Sequence, residues 1–367
     1  MHGESVSPFG YHTTKEITAM HAFAILQELL AKGCTRMHQG RLRSLLAATR
    51  AALDARSHTL SNLARAMGGQ CAVRHRVKRV DRLLGNLALQ RECAAVYAAL
   101  AQHHLQEVST PLILVDWTDL NAARSWQMIR ASSALAGRSM TLYEEVHSIK
   151  KATSASVHKA FLIKLKSMLP PGYQPIVITD AGFRSTWFAA VQSLGWHWVG
   201  RIRNRDMVRA HARSDAPWRG CKSLYASAKT QAQDLGWFDY VRSSPTRCRL
   251  VSVKRAPKGR HHSTLNGKPR CGNESRKQAR AQSEPWLLAV SPSLEHLSAQ
   301  AIVAVYAQRM QIEQAFRDTK NARLGFGDVR QRHAHRAASG RIGVDCLLGR
   351  VRAATNWTNR HARANAV

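Results

Sequence analysis

The hydrophobic pattern of this 367-residue chain changes period at Pro111, and that change constrains the fold more than any other feature. Before it, from about residue 15 to 108, apolar residues recur at helical spacing in Ala22–Leu30, Leu42–Leu53, Leu60–Met67, Val80–Leu84 and Cys93–Leu105. Few of them are β-branched. After it come short apolar runs of the kind that fill a central strand. Leu112–Val115 runs into Asp116, and Ile176–Thr179 runs into Asp180. Met128–Ala136 and Ser139–Val146 alternate around Gly137 as the arms of a hairpin do. Ala155–Met168 reads as an amphipathic helix stopped by Pro170-Pro171-Gly172. A helix from about Ser185 to Leu194 closes at Gly195, and Trp196, Trp198, Gly200 and Ile202 alternate with polar residues in a further strand. Three strands, a helix, a strand, a helix and a strand predict an α/β mixed-sheet domain behind an all-helical region.

From about Asn204 to Glu284 the chain is polar and basic, with strand-like pieces at Gly236–Val241 and Cys248–Val253. Lys254–Arg280 holds nine Lys/Arg without an apolar period, which predicts a basic loop. Trp286–Val290 reads as a strand returning to the core, and one long helix is expected from Ala299 to about Asn321. The expected divisions are 1–108 (helical, DNA-binding), 109–203 (first part of the core), 204–285 (β-rich basic insertion), 286–335 (second part of the core) and 336–367 (a short C-terminal region). After Leu348 the chain is basic and poorly patterned, which is read as a shortened or frame-shifted end.

The charge identifies the class of partner. Fifty-five Lys and Arg against twenty-three Asp and Glu leave a net +32, which calls for a polyanion. Acidic membranes are usually met by one basic amphipathic helix or one polybasic run. Here the cations are spread along nearly the whole chain, which suits a long DNA track. No apolar stretch approaches the ~20 residues that span a bilayer, and the first residues lack a signal-peptide pattern, so a cytoplasmic, nucleoid-associated protein with no membrane partner is expected. The seven cysteines include no CxxC pair and are read as reduced thiols; Cys221, Cys248 and Cys271 with His261 and His262 fit no zinc spacing.

Within the helical region, TLSNLARAMGGQCAVRHRVKRVDRLLGN reads as a helix, a Gly-Gly turn and a second helix crowded with Arg74, Arg76, Lys78, Arg79 and Arg82. Small helical modules with a basic second helix dock on DNA, although a solvated basic face looks the same. Asp116 and Asp180, each following an apolar strand, are placed to share one crevice where a hard cation takes oxygen ligands. The segment YAQRMQIEQAFRDTK adds a third acid. On a continuous helix at about 100° per residue, Tyr306, Arg309, Glu313 and Lys320 fall within an arc of about 60°, with Arg317 beside them. One helix edge would then offer a carboxylate flanked by cations and a phenol.

The spacing Tyr-x2-Arg-x3-Glu-x6-Lys, met by Tyr306, Arg309, Glu313 and Lys320, resembles the YREK signature of the IS-four family of bacterial insertion-sequence transposases. LVDWTDL around Asp116 and ITDAGFRSTWFAAVQSLGWHWVGRIR around Asp180 resemble that family's other two acidic motifs. MTLYEEV, RVKRVDRLLGN and QRMQIE bring the chain nearest the subgroup of the tetracycline-resistance composite transposon. The resemblance implies a ribonuclease-H-like catalytic core with Asp116, Asp180 and Glu313 as the metal-binding triad for two Mg2+ ions, Mn2+ being able to substitute. It implies that Tyr306, Arg309 and Lys320 hold DNA phosphates near the cut; Arg317, Arg184, and Arg76, Lys78 and Arg79 of the basic helix are expected to meet DNA as well. Trp286, in EPWLLAVSP, stands where relatives stack a tryptophan on a flipped base; some relatives carry a second aromatic where this chain has Met310. The partners implied are double-stranded DNA, as terminal inverted repeats and as target, and a second copy of the chain in a synaptic homodimer. Cut-and-paste transposition is the activity implied. A ribonuclease-H-like nuclease without strand transfer would use the same acids, and a DNA-binding copy without catalysis would not need them.

Overall fold

The computed structural model describes residues 14–55, 59–106, 108–120, 124–135, 137–203, 206–213, 215–256 and 283–320, with Gly272, Asn273 and Ser275 besides. Most of the predicted basic loop, Cys271, His261, His262 and the expected segments beyond Lys320 lie outside the described residues.

Five helices come first: α1 (Thr14–Gly33), α2 (Gln39–Ala55), α3 (Leu60–Ala66), α4 (Val73–Leu84) and α5 (Leu87–Leu105). The LLGN tetrapeptide is a junction. α4 ends at Gly85, and the Asn86 side chain accepts the Leu89 backbone N–H at 2.9 Å to start α5. α3 and α4 form the expected helix–turn–helix, and Gly69 takes φ 117° in the turn, a value that favours glycine.

Among the described residues the rest is built on one ten-stranded mixed sheet. In chain order the elements are β1 (Leu112–Asp119), β2 (Trp126–Ala134), β3 (Ser139–Ser148), α6 (Ala155–Met168), β4 (Ile176–Thr179), α7 (Ser185–Ser193) and β5 (His197–Arg201). Then follow β6 (Met207–Ala210), β7 (Arg219–Gly220), β8 (Gln233–Tyr240), β9 (Thr246–Val253), β10 (Trp286–Val290), α8 (Ala299–Ala307) and α9 (Met310–Lys320). Their order across the sheet is β3-β2-β1-β4-β5-β10-β9-β8-β6-β7. β1, β4 and β5 are parallel neighbours and the remaining pairs are antiparallel. This large mixed sheet between helices is consistent with a ribonuclease-H-like core. Strands β6 and β7, unannounced by any apolar run, extend the same sheet beyond β8.

Alternation along each strand divides the apolar side chains between two cores. Ile113, Val115, Val177, Trp198, Leu250 and Leu287 join the core under α5, α6 and α7. Leu114, Ile178, Val199, Val251, Leu288 and Val290 join the core under α8 and α9. On the first face Phe188 stacks on Trp198 with ring centroids 4.3 Å apart. A Cβ at Gly200 would come 2.3 Å from that Phe188 ring, so only glycine leaves room for it.

The single long helix expected from Ala299 is in fact two. At Gln308–Arg309 the chain tightens, with Gln308 N–H bonded to Val305 O, Arg309 N–H to Tyr306 O and Ile312 N–H to Arg309 O. Such three-residue closure turns about 120° per residue. The break lets each half bury its apolar side: α8 packs on β5, β8 and β9, and α9 on β1, β2 and β3. Both halves feed one core through Ile302, Tyr306, Ile312 and Phe316. A straight helix could not follow so broad a twisted sheet. Among the described residues no helix is long and apolar enough to cross a membrane.

Candidate active site

Asp116 and Asp180 come side by side through strand register. The parallel ladder of β1 and β4 ends on the pair Val115–Thr179, and the two aspartates are the next residue of each strand. By alternation each belongs to the side of Leu114 and Ile178, under α9. One detail differs from the sequence reading. Asp116 does not end its strand: β1 continues to Asp119, paired with β2, and Asp116 stands opposite Arg130. The short run of apolar residues marked where β1 stops being buried on both faces, not where it stops. Asp180 does follow directly on the last residue of β4, and its Oδ1 accepts the Gly182 N–H at 2.8 Å. A Cβ at Gly182 would lie 3.0 Å from that oxygen, so glycine permits the close approach.

The third acid arrives on α9. Arg309 Nη2 donates to Glu313 Oε1 at 2.5 Å, and its Nη1 lies 3.4 Å from Asp116 Oδ2, so one guanidinium joins the first and third acids. Asp116 also accepts the Trp117 N–H at 2.8 Å. Burial, then the neighbouring Asp180 and more weakly Glu313, push the Asp116 carboxyl up to about 7, against the opposing pull of Arg309. Burial works against charge on Arg309 too, but Tyr306, Asp116, Glu313 and Asp180 together outweigh it and hold its pKa above the ordinary arginine value. Among the described residues no three His, Cys, Asp or Glu side chains stand grouped as a ready metal site. Arg309 lies between two of the three acids instead. The donor set is three carboxylates, one of them pushed toward protonation by burial first and then by its neighbours, and oxygen donors of this kind suit a hard divalent cation.

A family model described as "Transposase DDE domain" matches residues 108–344, about two thirds of the chain and all three acids. The chain belongs to the DDE transposase family. No curated protein matches it closely enough to count as a relative. Membership makes DNA its substrate and a transposase- or nuclease-type reaction its activity.

The other predicted residues of this DDE transposase are placed unequally. Lys320 lies on α9 close enough to Asp119, Arg130 and Asp116 to feel their charges, and partial burial lowers its pKa. Arg317 is exposed on the same helix, and Arg184 is exposed at the start of α7, beyond Asp180. Tyr306 is only 2% exposed. Its ring meets the edge of Trp286 at a centroid separation of 4.8 Å, so as placed it supports that tryptophan from the core. Trp286 is half-buried on β10, with the Arg255 guanidinium 4.6 Å from its ring centroid. On α4, Lys78 and Arg79 are exposed, whereas Arg76 donates to the Met67 carbonyl and holds the turn after α3. Buried Cys221 and Cys248 have thiols raised by desolvation, consistent with inert reduced cysteines.

Three charged residues of the same face were not singled out in the sequence. Arg201 follows Val199 by two residues on β5 and therefore shares its side; it reaches the carbonyl of Glu284 at 3.3 Å. Arg130 and Glu144 form a buried ion pair beside α9. The signal for Glu144 was present in MTLYEEV, where an acid follows an alternating apolar strand. Nothing in the sequence named its partner.

Proposed function

We propose that this DDE transposase excises and inserts an insertion sequence by cut-and-paste, with Asp116, Asp180 and Glu313 as its catalytic carboxylates. The observation that supports this most is the register of β1 and β4. It sets two acids together on the face that α9 covers, where Arg309 reaches both Asp116 and Glu313. The three acids would hold two Mg2+ ions, or Mn2+, which when bound supply charge neutralisation of the attacking and leaving oxygens. Arg309 keeps the acids from repelling one another until then and is placed to turn to a phosphate. Lys320, Arg317 and Arg184 border the same face and supply cations for the DNA backbone. Trp286, backed by Tyr306, offers a platform for an unstacked base, offsetting about 1–3 kcal/mol of unstacking.

The proposed course begins with hydrolysis of one strand at the element's end. The freed 3′-hydroxyl attacks the opposite strand, which closes a hairpin, and water reopens it. The same hydroxyl then attacks target DNA. Each step exchanges one phosphorus–oxygen bond for another, so no covalent protein–DNA link is needed. Recognition of the terminal inverted repeats belongs in this reading to the N-terminal helices, through Lys78 and Arg79, in a synaptic homodimer. The IS-four likeness, nearest the subgroup of the tetracycline-resistance composite transposon, supports the hairpin route.

The test is to incubate the chain with Mg2+ and DNA bearing the repeats that flank its gene. Nicked, hairpin and joined products in sequence are expected. Nicks without hairpins or joined ends would leave only a nuclease, and no cutting at all would overturn the reading.

A further inference from the structure

The face that holds the three acids also carries a charged pair that the proposed reaction does not use. Asp116, Arg130 and Glu144 stand in one row across β1, β2 and β3, each opposite the next in register. Arg130 Nε donates to Glu144 Oε2 at 2.7 Å, and the two side chains are 5% and 2% exposed. An ion pair sealed this far from water gains little net stability, because losing hydration offsets most of the attraction. Its geometry is more informative. Arg130 Nη1 donates to Thr319 Oγ1 at 3.3 Å, and the guanidinium lies 4.9 Å from the centroid of the Phe316 ring. Both contacts fall on α9, within two turns of Glu313. On the other side, the Tyr97 hydroxyl of α5 donates to Glu144 Oε1 at 3.0 Å. One buried pair therefore touches the helix of the third acid and the last helix of the N-terminal region.

We propose that Arg130 and Glu144 are positioning residues that seat α9 so that Glu313 faces Asp116 and Asp180. Through Tyr97 they tie that seat to the N-terminal helices. The inference rests on the transposase reading of the three acids, since it concerns how the third is held. Neither residue meets DNA; their effect passes through Phe316 and Thr319.

Losing one partner alone would strand a buried charge and strongly destabilise the chain. The informative variant is therefore the double one, Arg130→Met with Glu144→Leu, which keeps the volume and removes both charges. Mn2+ is titrated into the full chain and binding is read by electron paramagnetic resonance. Cleavage of DNA bearing the flanking repeats is measured at the same Mn2+ concentrations. The double variant should melt cooperatively and bind this DNA as the unaltered chain does. Its half-saturating Mn2+ should rise about tenfold or more, in binding and cleavage alike, as happens when partners behind metal ligands are lost. Tyr97→Phe should shift it in the same direction by less. If the double variant fails to fold, Arg130→Lys keeps the charge and loses the fork that reaches Thr319, so the same rise is expected there. Unchanged Mn2+ dependence in a folded variant overturns the inference. Failure of the unaltered chain to bind Mn2+ or to cut is a separate result, and it removes the reading of the site itself.

Discussion

The two faces of the central sheet are made from alternate residues of the same strands, yet they differ in kind. Neighbours on β1 show it best. Trp117 turns to the α6 side, where its indole N–H donates to His158 Nε2 at 3.1 Å among stacked aromatic rings. Asp116 turns to the α9 side, among Arg309, Asp180 and Glu313. His158 is buried, and desolvation pushes its pKa down to about 4, so this histidine is kept neutral. On the α9 face the acids stand close together, and Arg309 joins Asp116 and Glu313. One face makes the sheet rigid; the other uses that rigidity to hold like charges near each other at a cost no mobile loop could sustain.

Substitutions on the two faces should trade loss of function for loss of fold. On the α9 face Asp116→Asn, Asp180→Asn and Glu313→Gln should each abolish cleavage in a gel assay, while the chain still folds cooperatively and binds DNA. Normal cutting by any one of them would remove that residue from the site. On the other face Trp187, fully buried against His158 and Phe183, should behave the opposite way. Trp187→Ala should cost about 3–5 kcal/mol in denaturant unfolding. A loss below about 1 kcal/mol would mean that this face is not the rigid one.

A smaller effect sharpens the contrast through pH. The folded Asp116 carboxyl is raised to about 7 from 3.8, so the protonated form is favoured in the fold. Its contribution is fully present below the unfolded value and is lost as pH rises through about 7. Without divalent metal, the melting temperature of the unaltered chain should fall relative to Asp116→Asn between pH 5 and 8. Parallel melting curves for the two would contradict the placement of the acids. The smallest effect belongs to the N-terminal helices. Lys78→Ala with Arg79→Ala should reduce the slope of log affinity against log salt for repeat DNA by about 2, with cutting by saturating protein unchanged. An unchanged slope would take α4 off the DNA.

Much of this was legible in the chain. β4, β10 and α6 fall where their apolar runs and stop signals put them, because each is buried on a regular period with a clear end. The candidate acids were also legible, Asp116 and Asp180 where apolar runs give way to a carboxylate and Glu313 on the charged edge of its helix. What the sequence hid depends on partners far along the chain. The division of α8 from α9 follows from the breadth of the sheet beneath, with no proline or glycine to mark it. β1 runs past Asp116 because β2 pairs with it, and β6 and β7 exist only as additions to β8. Arg130 finds Glu144 across one strand pair and Thr319 across about half the chain, a contact no local pattern reveals.

For the proposed chemistry the three acids must act as one cation site. Fe2+ bound in place of Mg2+, with ascorbate and peroxide, cuts the polypeptide wherever it is held, and mass spectrometry reads the cuts. Cuts near residues 116, 180 and 313 together are predicted, all three vanishing in Asp116→Asn. Cuts near only one of these positions, or a pattern indifferent to that substitution, would contradict it.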